Sequence, residues 1–220
     1  MKVIQVNTNQ AVTYFEPGEQ SVYASNADDL YSYKTYVGNA SVEVEAGDSV
    51  WLVNKVNAKI EVFKGPCSVD SSSVATVIRG YSCSDKAVKL NSGTNLPYVN
   101  GCSTRQVIPP ERSGDPTYQQ LQIPRGSSEQ SHHIHSTARV VYVFEGEGWS
   151  CVGMEGNPEK TKLIPGMVAV FDPMTPHHFE TEVDAPASLV VLPLHIYSSS
   201  GPAEFNHPMF NGTHMMNQGH

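Results

Sequence analysis

Short β-rich runs, each closed by Gly, Pro, Asn or Asp, recur along the whole chain and limit what it can fold into. They occupy residues 11–15, 31–37, 41–45, 49–53, 60–63, 74–78, 118–123, 140–144, 167–171 and 188–194. No stretch carries a long apolar stripe at the 3.6-residue period of a helix. Charged residues are only 16 % of the chain, against 17 Gly and 15 Pro. The pattern predicts an all-β protein of antiparallel sheets, either a sandwich or a jelly-roll barrel. A chain of 220 residues is long enough for one large or two small domains around a well-buried core.

Residues 83–117 are rich in Ser, Gly, Pro and Asn and read as a connection. They separate a strand-rich first half (1–82) from a second unit (118–200), which an irregular tail (201–220) follows. His207, His214 and His220 of that tail are read as solvent or packing residues. A faint repeat links the halves: the segment around Gly47 echoes that around Gly166, and Gly38 echoes Gly146. Counting from those glycines, Ser25, Ala27 and Ala58 fall where the second half has His133, His135 and His177. A first half with no metal ligands is therefore expected, with a role in packing, dimerisation or walling a pocket.

The formal charge of −8 and a pI near 5.5 argue against nucleic acid or an anionic membrane as the main partner. A small anionic substrate stays open if local positive charge collects it. No run approaches the length of a membrane-spanning helix, and the opening MKVIQVNTNQ lacks the apolar core of a signal peptide. A cytoplasmic location is the expectation. Cys67, Cys83, Cys102 and Cys151 show no CxxC spacing and are expected as reduced thiols, with a Cys83–Cys102 bridge left open.

The chemistry concentrates in His133-Ile134-His135, with His177 following Pro176 some forty residues later. Side chains two apart on a strand leave from the same face, so His133 and His135 can aim at one point. His177 can join them from a neighbouring strand. Three neutral imidazoles around one point suit a divalent transition metal.

The stretch from Gly126 reads GSSEQSHHIHSTARVVYVFEGEG and is followed by PGMVAVFDPMTPHHF. It resembles the two motifs of the cupin superfamily. Gly126, His133, His135 and Gly146 match the first, with one extra residue between Gly126 and His133; Gly166 and His177 match the second, while Asp172 and Met174 replace its inner Pro and Gly. The resemblance covers about residues 118–197. It implies a jelly-roll barrel in the C-terminal half, one metal on His133, His135 and His177, and a homodimer joined through sheet edges. The first half would be degenerate cupin-like or simply strand-rich.

One departure stands out. The cupin glutamate that usually ligates the metal falls at Arg139, and a guanidinium does not bind a cation. The site is then three-histidine, or it borrows a fourth ligand from Glu129, Gln120 or Gln122. Gentisate, β-diketone and thiol dioxygenases of the superfamily resemble this pattern, which implies iron(II) and an oxygenase acting on a small carboxylic acid or phenol. Nickel, manganese or zinc in an isomerase, decarboxylase or lyase is the alternative, and a non-enzymatic ligand-binding cupin is the third. If the strand is regular, residues 139, 141 and 143 share the inward face, so Arg139 enters the pocket. It then either clamps a substrate carboxylate as a catalytic residue or pairs with an interior acid.

The neighbours are read more plainly. His132 and His178 face away from their ligand neighbours, and His195 is a core histidine. Tyr142 and Trp149 pack on the sheet, Tyr118 is a candidate for the pocket mouth, Arg105 and Arg125 are loop residues, and Glu145 and Glu147 belong to a turn.

Overall fold

The computed structural model describes residues 2–5, 11–27, 31–90, 93–94, 96–129 and 132–197, for the first of these the backbone alone. The tail histidines lie outside the described residues. In the first half the strands are β1 Lys2–Gln5, β2 Val12–Phe15, β3 Ser21–Ala24, β4 Tyr33–Val37, β5 Ala40–Val44, β6 Ser49–Asn54, β7 Lys59–Lys64, β8 Cys67–Ser71 and β9 Val74–Ile78. There follow β10 Lys86–Lys89, β11 Leu96–Pro97, β12 Ser103–Ile108 and β13 Thr117–Ile123. The last six are β14 Ala138–Glu145, β15 Gly148–Val152, β16 Glu159–Leu163, β17 Val168–Phe171, β18 His177–Glu180 and β19 Leu189–Ile196. Among the described residues the only helical turn is the short 3-10 stretch Val99–Gly101, and no helix is long and apolar enough to cross a membrane.

The strands form four layers. A two-stranded sheet, β5-β8, covers the seven-stranded sheet β1-β3-β4-β9-β6-β7-β10. The second seven-stranded sheet, β11-β12-β13-β19-β14-β17-β2, is covered by β16-β15-β18. Three cores fill the spaces between them. Val42, Val44, Val50, Leu52, Ala75 and Val77 fill the first barrel, and Leu121, Val141, Val143, Ala169, Phe171, Phe179 and Val191 fill the second. The two large sheets pack back to back through Trp51, Ile60, Tyr118, Val140, Tyr142, Val170, Leu192 and Leu194. Strand alternation explains the division: along β14, Val141 and Val143 face the barrel while Val140 and Tyr142 face the other half.

Three sequence expectations change at this level. Residues 83–117 are not an irregular connection, since β10 extends the first large sheet and β11 and β12 extend the second. The halves are not sequential either, because β2 leaves the first and pairs with β17 of the second. The repeat does not carry through the strand pairing. β14 pairs with β17, and β15 pairs with β16 and β18. In the first half β5 pairs with β8, and β6 pairs with β7 and β9. β5 and β8 form an outer sheet whereas β14 and β17 lie in a large one, so the halves do not match layer for layer, and the interior of the first half is aliphatic.

Candidate metal centre and cavity

The segment carrying His133 lies antiparallel to the start of β18. His133 and His177 exchange both backbone hydrogen bonds, each 3.1 Å, so the two histidines sit directly opposite each other. His135 is two residues along, and its Nε2 lies 3.0 Å from His133 Nε2. The ligating atoms of His133, His135 and His177 all fall within 4.8 Å of one another. That proximity makes the trio a group able to hold one ion.

Tautomer and charge suit the role. His177 donates Nδ1–H to the Thr175 carbonyl at 2.6 Å, which leaves the lone pair on Nε2 facing inward. Burial, reinforced by the Arg139 charge, pushes His177 down to about 2 and His135 down to about 3, so both are neutral imidazoles at physiological pH. The donor set therefore fits a divalent transition ion.

Arg139 projects into the barrel, as the strand alternation predicts, and is 4 % exposed. Its Nη2 donates to His177 Nε2, and its guanidinium lies 4.7 Å from the Phe171 ring centroid. The lone pair that accepts this N–H is the one an ion would take, so an ion there would compete with the guanidinium for it. Among the described residues no carboxylate forms an ion pair with Arg139. Burial lowers its deprotonation point to about 10, with Glu129 acting in the opposite sense.

Of the proposed fourth ligands, Gln120 and Gln122 are excluded by phase. Leu121 and Ile123 face the barrel, so the even residues of β13 share the outward face with Tyr118. Glu129 does face inward. Its carboxylate accepts Phe179 N–H at 2.9 Å, and burial raises it to about 7. Tyr118 is not at a mouth; it is fully buried between the halves, 6.3 Å from the Trp51 ring. His195 is inward and adjoins the trio, with its ring 5.2 Å from His135 and Thr137 Oγ1 3.0 Å from its Nδ1. Arg105 is not a loop residue but part of β12. All four cysteines are free, and Cys83 and Cys102 belong to different cores.

Two adjoining cavities reach the trio. One of about 270 Å³ is bounded by Gln119, Glu129, His133, His135, Arg139 and His195. The other, about 760 Å³, runs outward past His135, Thr137 and His195 to Arg112, Asp115 and Tyr31. Arg112 is neutralised there by Asp115 at 3.0 Å. Sequence reasoning missed Gln119, although the alternation with Leu121 and Ile123 marks it. It also missed Tyr31, which arrives from the other half with no local signal.

Residues 120–193 match the family model of the cupin domain. Comparison with curated proteins finds no match. Among solved structures, a cupin 2 conserved barrel domain protein from Leptotrichia buccalis is 12 % identical, over 83 % of this chain and 91 % of that one, with a TM-score of 0.45. Vicilin from hazelnut, Corylus avellana, is 10 % identical over 79 % of this chain and 77 % of that one, at 0.45. A cupin-like protein from Thermotoga maritima is 12 % identical over 56 % of this chain and 96 % of that one, at 0.43. The strand pattern, the histidine trio and the family match agree: this all-β chain carries a cupin domain over residues 120–193.

Proposed function

We propose that the chain is a metal-dependent cupin oxygenase in which His133, His135 and His177 hold one iron(II) ion and Arg139 receives the anionic end of a small carboxylic-acid or phenolic substrate. The observation that carries this reading is Arg139 itself, a guanidinium buried beside the histidine trio, where the facing acid, Glu129, is itself pushed up to about 7 by burial and no described carboxylate lies within ion-pair distance. A buried charge of that kind is costly unless an anion meets it. With three neutral ligands an ion keeps its full charge, so an anionic ligand is favoured at the same place. Iron(II) supplies the one-electron chemistry with O2 that no side chain supplies. Gln119, Thr137 and His195 offer neutral polar groups along the wall, and the cavity is of the size small-molecule sites have.

The test is metal analysis of protein purified without oxygen, then an oxygen-electrode screen of carboxylic acids and phenols. One equivalent of iron and substrate-dependent oxygen uptake are expected, both lost in a folded His135→Ala protein. Unchanged metal content in that variant rejects the site. Turnover without oxygen uptake rejects the oxygenase and favours Lewis-acid chemistry; binding without turnover rejects an enzyme.

A further inference from the structure

The outward face of the same two segments carries a second set of ligating side chains. On β18, His177 and Phe179 face the barrel, so His178 and Glu180 face out. Cys151 of β15 stands directly opposite His178 in the ladder, which puts their side chains on one face. His132, next to His133, comes from the facing segment. Its Nδ1 lies 2.8 Å from His178 Nδ1, with the rings 4.8 Å apart, and its Nε2 is buried without a hydrogen-bond partner. His178 Nε2 is 3.3 Å from Glu180 Oε2. The ligating atoms of Cys151, His178 and Glu180 fall within 4.8 Å of one another, as they do in the inner trio.

We propose that Cys151, His178, Glu180 and His132 form a second, structural metal site for a zinc-type divalent ion. One thiolate, two imidazoles and one carboxylate are a four-ligand set that such an ion takes tetrahedrally. The two anionic ligands balance the ion's charge, so this site has no call for an anionic substrate, unlike the inner one. On binding, the Cys151 thiol releases its proton to solvent and its sulfur bonds the metal. Lys160, now 2.6 Å from Glu180 Oε1 and half exposed, is displaced into water. The ion would join the His132–His135 segment to β18 from outside. The residues adjoining its imidazole ligands, His133 and His177, belong to the inner trio. The proposal does not depend on the oxygenase reading.

Cobalt(II) titration of the chelator-treated full chain tests it, because only this site offers sulfur. Two equivalents and a near-ultraviolet thiolate-to-cobalt charge-transfer band are expected. In Cys151→Ser the band and one equivalent should vanish; in His135→Ala the band should stay. Should Cys151→Ser fail to fold, Glu180→Gln provides the same reading, with the affinity behind the band falling by more than about tenfold. A single equivalent with no sulfur band overturns the proposal, as does a band that survives Cys151→Ser or an unchanged affinity in Glu180→Gln.

Discussion

Arg139→Met separates a charge kept for a ligand from a charge kept for the fold. The guanidinium is 4 % exposed, and burial brings its deprotonation point from 12.5 to about 10. The difference, 12.5 − 10 = 2.5, corresponds to about 3 kcal/mol at about 1.36 kcal/mol per pH unit. The folded value is the lower one, so the folded state bears this cost throughout the neutral range and sheds it only as pH rises through about 10. The Phe171 face returns about 1 kcal/mol and the hydrogen bond to His177 about another. About 1 kcal/mol of net cost remains. Methionine fills much of the same space without charge, and buried charges replaced in this way leave proteins neutral or more stable. The metal-free variant should therefore melt at the parent temperature or up to about 4 °C higher. Its metal content should be unchanged, and its KM for an acidic substrate should rise about a hundredfold with the lost charge-assisted contact. Thermal unfolding in chelator, metal analysis and steady-state kinetics measure the three. A melting temperature lowered by about 8 °C or more would refute the reasoning, since removing one member of a satisfied buried pair is what costs several kcal/mol.

Acid should destabilise the metal-free protein from about pH 6.5 downward. His135 and His177 titrate near 3 and 2 when folded, and His195 also falls well below its ordinary value. The unfolded chain thus takes up protons that the folded one refuses. Glu129, raised to about 7, works in the opposite sense and offsets only part of this. A urea midpoint that does not fall between pH 6.5 and 4 contradicts the neutral-imidazole assignment. Gly146→Ala should cost about 3 kcal/mol or more in denaturant unfolding, because the added carbon meets the Ser188 carbonyl oxygen at 2.0 Å and φ is +73°. A loss below about 1 kcal/mol would show that the β14–β15 turn can relax. Trp51→Ala should cost about 3–5 kcal/mol, and both halves should melt in one transition because they share the core that Trp51 fills. Two separate transitions would contradict that sharing.

The sequence was most readable where one physical rule acted locally. Alternation marked β14, and with it the inward aim of Arg139, because β14 is long and apolar on both faces. The short HxH spacing also brought His133 and His135 together, although neither lies in a strand and His133 is held by a single bridge to His177. Strands β16 and β18, EKTKL and HHFE, escaped notice because they are short and one face meets water, which leaves no apolar rhythm. β12 hid in a Ser- and Gly-rich stretch, since STRQVI becomes a strand only by lying along β13. Gln120 and Gln122 were candidate ligands because composition does not say which face of β13 is inward; Leu121 and Ile123 decide it once the sheet is closed. Tyr31 reaches the cavity from the other half, and nothing near it in the chain signals that contact.

The exchange of β2 sets the order in which this molecule can be completed. Val12 pairs with Phe171, 159 positions further on (171 − 12), so β2 waits for a strand that is made much later in the chain. Until then the edge of β17, which carries Val168 and Val170, has no neighbour. A fragment cut to the cupin match alone would keep all three histidines and still expose that edge to other chains. The first half therefore acts as an edge cap for a domain that holds the histidine trio but cannot close its own sheet.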